Sequence, residues 1–157
     1  MRGPDIKLFR TALMVKPAHH GSAKPYHQDS PYWKIDPMDL VSVWIALDDA
    51  TTENGCMRVV PGAHKQGALK HVVEDGHLNT APGQFDTSGE VAAEMKAGGC
   101  LFFHSLLPHA SSPNRSPNSR RGMVFSYMNA RSQWTGAADE KHEPFMQIAG
   151  QSFPGCV

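Results

Sequence analysis

The sequence predicts a mainly β fold, a sandwich or barrel built from short strands. Three observations carry this. The 157 residues include 14 Gly and 12 Pro, a supply of turn formers that favours short strands over long helices. The apolar residues fall in brief β-branched or aromatic runs bounded by turn signals. No internal repeat, heptad pattern or low-complexity tract competes with that reading. Hydrophobic residues make up 40% of the chain and charged residues 19%, enough apolar material for the core of one domain. A formal net charge of +0 gives no electrostatic reason to expect nucleic acid or an anionic membrane as partner.

Taken in order, Ile6 to Val15 mixes apolar and basic residues and reads as a strand closed by Lys16-Pro17. Ala18 to Lys24 reads as a loop, with His19 and His20 in solvent. Pro31, Asp36 and Pro37 make an irregular segment around Tyr32-Trp33. Met38 to Leu47 is the clearest strand, so continuously apolar that both faces are expected to be buried. Asn54-Gly55 signals a tight turn, and Cys56 to Val60 follows as a strand, so the natural pairing is a hairpin between these two runs. Residues 63–96 are polar and irregular, a segment of the length that often serves as a lid or binding loop, with Glu90 to Lys96 a short helix or an extended lead-in. Cys100 to His104 and Gly122 to Met128 are further strands, separated by the Ser/Pro/Asn-rich loop of 111–120. The tail from Ser132 is weakly patterned.

The three cysteines, Cys56, Cys100 and Cys156, are scattered and odd in number. That argues against a disulfide framework and a thiolate zinc site, and for a reducing, cytoplasmic location. No apolar run resembles a signal peptide or approaches the ~20 residues of a membrane span.

The stretch that points to chemistry is Tyr26-His27-Gln28-Asp29. On an extended strand, residues two apart share a face, so His27 and Asp29 would converge. One further His would complete a two-histidine, one-carboxylate face, which suits a divalent metal and leaves coordination positions open. Such a pair also arises by chance in a chain with 9 His, as a surface turn. A second block, Phe102 to His109 followed by Arg120, favours the metal reading. It offers two candidates for the distal ligand, His104 and His109. His71, His77 and His142 have no partner at useful spacing and read as solvated, while His64, after Pro61-Gly62, reads as structural.

The runs KPYHQDSPYW, ENGCMRVVPGAHK and CLFFHSLLPHASSPNRSPNSRR resemble the phytanoyl-CoA dioxygenase family in three separate blocks, over about Leu8 to Ala130. The resemblance implies a double-stranded β-helix of the jelly-roll or cupin-like kind. It implies an Fe(II)- and 2-oxoglutarate-dependent dioxygenase acting on a small organic or lipid-like substrate with O2. Residues 1–157 then form a single oxygenase domain, with a catalytic core at about 8–130 and a tail at 131–157. By the family's pattern the metal ligands are His27, Asp29 and His109, and no further catalytic residue is implied. The offset to Arg120 selects His109 over His104. Arg120 would grip the far carboxylate of 2-oxoglutarate, helped by Ser111, with Gln28 and Trp44 lining the cosubstrate pocket. A guanidinium suits that role because its rigid fork of donors matches a carboxylate. Trp44 reads equally as core, and Gln28 as a satisfied strand residue.

Two departures qualify the likeness. Met1 stands only 26 residues before His27, so N-terminal helices and strands usual in the family are expected to be missing, leaving a marginal N-terminal edge. Gly98-Gly99-Cys100 stands where the family commonly has an Asp after the Gly. Two other readings stay open: a non-catalytic β-helix domain that binds metal or metabolite, and a cupin-like metalloenzyme without 2-oxoglutarate.

Overall fold

The structure is a computed structural model that describes residues 3–74, 76–141 and 145–157. His142, expected in solvent, lies outside the described residues. The strands are β1 (Ile6–Lys16), β2 (Lys24–His27), β3 (Ile35–Asp36), β4 (Val41–Ala46), β5 (Met57–Val59), β6 (His71–Glu74) and β7 (His77–Thr80). They continue with β8 (Val91–Ala93), β9 (Cys100–His104), β10 (His109–Ser111), β11 (Arg120–Asn129), β12 (Gln133–Trp134) and β13 (Met146–Ala149). Helix among the described residues is confined to 3-10 turns at Ser30–Tyr32, Ala63–Gln66 and Ala138–Glu140. None is long and apolar enough to cross a membrane.

Two antiparallel sheets form a jelly roll. The larger has the order β13-β1-β11-β4-β9 and the smaller β2-β10-β5-β8. Trp44, Ala46 and Phe103 of the larger sheet meet Met57 and Val59 of the smaller in one apolar cluster, which closes one end of the sandwich. A second cluster of Trp33, Ile35, Leu40, Met128 and Val157 closes the other. Trp44, Met57 and Phe103 of the first cluster and Trp33 of the second also line the cavity that holds the candidate site.

The hairpin expected between β4 and β5 does not form. The Asn-Gly turn is made, with Gly55 at φ 81°. The Thr51 N–H donates to Asn54 Oδ1 at 2.8 Å, and the Cys56 N–H to Thr51 O at 2.9 Å. The turn instead carries the chain from one sheet to the other. A strand has only two edges, and those of β4 are taken by β11 and β9, so β5 pairs with β10 and β8.

The N-terminal strand is covered only in part: β13 pairs with Ile6, Lys7 and Leu8, while the rest of β1, with exposed Leu13, Met14 and Val15, has β11 as its ladder neighbour among the described residues. The tail is not loose: β13 pairs with β1, the Val157 N–H donates to Ser132 O at 2.9 Å, and Val157 is buried. Residues 63–96 are more regular than their polarity suggests, holding the hairpin β6–β7 and the short strand β8. Glu90 to Lys96 takes the extended alternative.

Leu40, which has no exposed surface, anchors the second cluster. Leu40→Ala is expected to cost about 2–5 kcal/mol of stability, through lost transfer energy and the cavity left behind. Chemical denaturation measures it, and an unchanged midpoint would show that this cluster does not hold the sandwich shut.

Candidate metal centre and its cavity

His27 ends β2 and stands directly opposite His109 of β10 in the antiparallel register. Side chains at facing positions share one side of a sheet, and the two rings are 4.2 Å apart between centroids. Asp29 joins them by a different route from the one the pleat suggests. The strand stops at His27, and Asp29 has helical angles, φ −74° and ψ −44°, at the head of the 3-10 turn Ser30–Tyr32. The carbonyl of Ser105 fixes this turn by accepting the N–H of Asp29 at 2.9 Å and of Ser30 at 3.1 Å. The convergence is as expected, but a turn makes it.

The Nε2 atoms of His27 and His109 each lie 4.0 Å from Asp29 Oδ1. Both Nδ1 atoms are spent on backbone carbonyls, Pro25 O for His27 and Leu107 O for His109, each at 2.9 Å. A carbonyl only accepts, so each Nδ1 carries the proton and each Nε2 lone pair faces Asp29. Burial pushes the pKa of His27 down to about 2, with the neighbouring His109 adding to the effect. Burial pushes the Asp29 carboxyl up, against the opposing pull of His109, Arg10 and Lys24. The three donor atoms lie within 4.8 Å of one another, a set that could hold a divalent cation.

His104 is not part of this cluster. Its Nε2 lies 3.2 Å from Asp39 Oδ1, its Nδ1 accepts the Leu106 N–H at 3.0 Å, and its ring stacks on His64 at 5.4 Å. The sheet fixes it on the far side of the Leu106–Pro108 bend.

The donor set opens into a cavity of about 470 Å3 that is also lined by Trp44, Ser111 and Arg120. Arg120 is 3% exposed. Its Nη2 donates to Gly55 O at 2.7 Å, and its guanidinium lies 5.2 Å from the Trp44 ring centroid. Its Nε is buried without a partner. Lys16, facing Arg120 in register, donates to Ser22 O. Burial and the Arg120 charge bring its ammonium down to about 8. Trp44 is both core and cavity wall. Gly122 makes room for it, since a Cβ there would come within 2.2 Å of the indole. Arg121, on the opposite face of β11, is spent on Asp48, with Nη2 2.7 Å from Oδ1.

Gln28 does not line this cavity, in contrast to the pocket-lining position expected of it. It is fully buried. Its Nε2 donates to Gly67 O at 2.8 Å and Leu106 O at 2.7 Å, and its Oε1 accepts the Leu69 N–H at 2.9 Å. The alternative of a satisfied, structural residue is the one the geometry supports. His71, expected in solvent, accepts the Gln28 N–H at 3.3 Å through Nε2 and donates to Leu69 O at 2.8 Å through Nδ1. Nothing near His71 in sequence signals this, because its partner is 43 residues away. His77 is exposed, with Nδ1 3.5 Å from Lys24 Nζ. Gln28 and His71 thus tie the residue between His27 and Asp29 to the segment leading into β6. Gln28→Ala should destabilise the fold by about 1–3 kcal/mol, because it orphans buried backbone groups. It should also speed hydrogen exchange at the Leu69 amide; unchanged exchange there would mean that the amide is held by other contacts.

The family model for phytanoyl-CoA dioxygenase (PhyH) matches residues 3–122. A probable phytanoyl-CoA dioxygenase of Caenorhabditis elegans is 35% identical over 135 residues, which cover 80% of this chain and 43% of the relative. Among solved structures, the non-heme monooxygenase ThoJ in its apo form aligns with a TM-score of 0.85 at 30% identity, over 99% of this chain and 57% of that one. EvdO2 from Micromonospora carbonacea var. aurantiaca, complexed with 2-oxoglutarate, aligns with a TM-score of 0.71 at 28% identity, over 84% of this chain and 55% of that one. The chain spans about two fifths of the length of the curated phytanoyl-CoA dioxygenases it matches. With a family match running from β1 into β11, through every residue of the donor set and through Arg120, the chain belongs to the phytanoyl-CoA dioxygenase family.

Proposed function

We propose that the chain is an Fe(II)- and 2-oxoglutarate-dependent dioxygenase that hydroxylates an unactivated C–H bond of a small organic or lipid-like molecule. The observation that carries this is the pairing, in one cavity, of three convergent metal donors with a buried guanidinium that has an unused donor. A domain that binds metal alone would have no use for that second half, and turnover of O2 and 2-oxoglutarate separates the oxygenase from a domain that binds metal and metabolite without reaction.

The donor chemistry fits the metal. Two neutral imidazole nitrogens and one carboxylate oxygen form the face used by non-haem iron(II) oxygenases. His27, Asp29 and His109 would hold the ion, and the Pro25 and Leu107 carbonyls would keep the two imidazoles aimed. Bound iron and 2-oxoglutarate together supply an oxidant strong enough to hydroxylate a C–H bond with O2, as the cosubstrate is converted to succinate and carbon dioxide. Everything else falls to the chain. Arg120 supplies the charge for the far carboxylate, with the Ser111 hydroxyl beside it on the cavity wall. Trp44 stacks under the guanidinium and limits its rotamers. The apolar clusters at both ends keep bulk water out of the chamber. Gln28 positions the metal-binding turn and does not touch the cosubstrate. The three free cysteines support a cytoplasmic location.

Anaerobic iron(II) titration tests the donor set. Asp29→Ala and His109→Ala should each abolish stoichiometric binding, and His104→Ala should leave it intact. Stoichiometric iron in the Asp29 variant would remove that residue from the ligand set. Calorimetric titration of 2-oxoglutarate into the metal-loaded protein tests Arg120. Losing the partner of a buried carboxylate costs on the order of 3–5 kcal/mol, so Arg120→Ala should weaken 2-oxoglutarate by a few hundredfold or more while iron still binds. Arg121→Ala should change little, because its partner is Asp48 at the surface. Equal affinities for wild type and Arg120→Ala would overturn the cosubstrate assignment.

A further inference from the structure

The charge of the cavity is lopsided. Arg10, Lys16, Lys24 and Arg120 line it, against the single carboxylate of Asp29. A bound divalent metal and a dianionic cosubstrate would cancel each other, so they leave this excess of cations standing.

The four cations divide into two pairs. Lys16 and Arg120 face each other across the β1–β11 register at the end assigned above to the cosubstrate. Arg10 lies on β1 an even number of residues from Lys16, so the pleat puts both on one face, about 20 Å apart along the strand. The Arg10 guanidinium sits 5.8 Å from the Trp33 ring centroid. Lys24 Nζ sits 5.7 Å from the Tyr32 ring centroid. Both Trp33 and Tyr32 belong to the segment that follows Asp29, so this second pair gathers on the Asp29 side of the site. It lies close enough to pull on the Asp29 carboxyl. Neither Arg10 nor Lys24 forms a salt bridge among the described residues. Balancing Asp29 would be a sufficient reason for them in a metal-free protein. In the loaded site the metal takes that carboxylate, and Arg10 and Lys24 are left facing the chamber unneutralised. Between the two pairs, Met14, on the same face of β1, presents apolar surface to the cavity while 46% exposed.

The geometry points to a second anion seat at the mouth, in which Arg10 and Lys24 hold an anionic oxygen group of the substrate, making the substrate a small anionic molecule with an apolar body. The assignment rests on the oxygenase reading above, and it deepens that reading from any small molecule to an anion. The aromatic rings of Trp33 and Tyr32 hold the two cations in place from behind, and the apolar lip takes the remainder of the molecule. The same seat would accept a carboxylate or a phosphate.

The test uses the full chain loaded with Ni(II) and saturating 2-oxoglutarate, so that the Arg120 end is filled and nothing turns over. Hexanoate, hexyl phosphate and the neutral hexanamide are titrated by calorimetry and by NMR. Hexanoate should bind at least about tenfold more tightly than hexanamide. Arg10→Gln and Lys24→Gln should each weaken hexanoate by about tenfold, while Arg10→Lys and Lys24→Arg retain most of it. Preference for hexyl phosphate over hexanoate would assign a phosphate-bearing substrate, and the reverse a carboxylate. Hexanamide binding as tightly as hexanoate, no detectable hexanoate binding, or undiminished binding in both Gln variants would overturn the seat. The same titrations report 2-oxoglutarate affinity in every variant. Absence of 2-oxoglutarate binding in the wild type would sink the oxygenase reading, and the loss of hexanoate affinity in Arg10→Gln and Lys24→Gln, which leave Arg120 and Lys16 in place, would still decide the seat.

Discussion

The pairing of β2 with β10 is the constraint on which the rest depends. It sets His27 opposite His109 at the rim of the smaller sheet, and neither strand is long. With so few ladder bonds the register needs outside support. The support comes from β5, which flanks β10 on its other side, and from Ser105, whose carbonyl captures two successive N–H groups of the turn carrying Asp29. A one-residue slip would turn His109 to the opposite face and leave His27 and Asp29 without their third member. The imidazole Nδ1 bonds to Pro25 and Leu107 act within this frame, since each ring is held by a carbonyl two residues earlier in its own chain. Ring orientation is therefore local, and only the meeting of the two rings is tertiary.

The larger sheet supplies the other half of the chamber. Arg120 opens β11, and its neighbours across the ladder are Lys16 of β1 on one side and the chain just beyond Ala46 of β4 on the other. Two buried cations side by side repel, and among the described residues no carboxylate bonds the guanidinium. Its Nη2 donates to Gly55 O, and its guanidinium lies 5.2 Å from the Trp44 ring centroid. The fold carries this cost at the cavity wall. A buried cation without a counter-ion is costly, and under the function proposed above an entering carboxylate would offset that cost.

Much of this was legible in the sequence, for identifiable reasons. The strands β1, β4, β9 and β11 are long or strongly apolar, so local pattern alone marks them. The offset from His109 to Arg120 carries meaning through the resemblance to the family, which the three sequence blocks already show. Alternation along β11 separates a buried Arg120 from an exposed Arg121. What was not legible depends on distant pairing. His71 looks idle because its partner, the Gln28 amide, lies far back in the chain. Gln28 reads as a pocket residue through the resemblance to the family, but its side chain bonds to Gly67, Leu69 and Leu106, partners too distant in the chain for local pattern to reveal. β13 has no strong pattern of its own and exists because β1 offers it an open edge.

The Asn54-Gly55 turn shows how a correct local signal can be assigned the wrong task. Asn-Gly does form a tight turn here, and pattern reading joins the flanking strands into a hairpin. The structure uses the turn to cross between sheets, and in doing so brings Gly55 O against Arg120. The glycine is required at that point twice over. Its φ of 81° is strained for any other residue, and a Cβ would come within 2.4 Å of Ser112 O. Ser112 directly follows Ser111, so one small residue lets the crossover loop, the end of β10 and the start of β11 close on each other. A side chain at this position would push the Ser111 segment and Arg120 apart without touching any of the three metal donors. The two halves of the candidate site are thus separable: the β2–β10 register brings His27 and His109 together, and the glycine crossover positions Arg120 and the Ser111 segment.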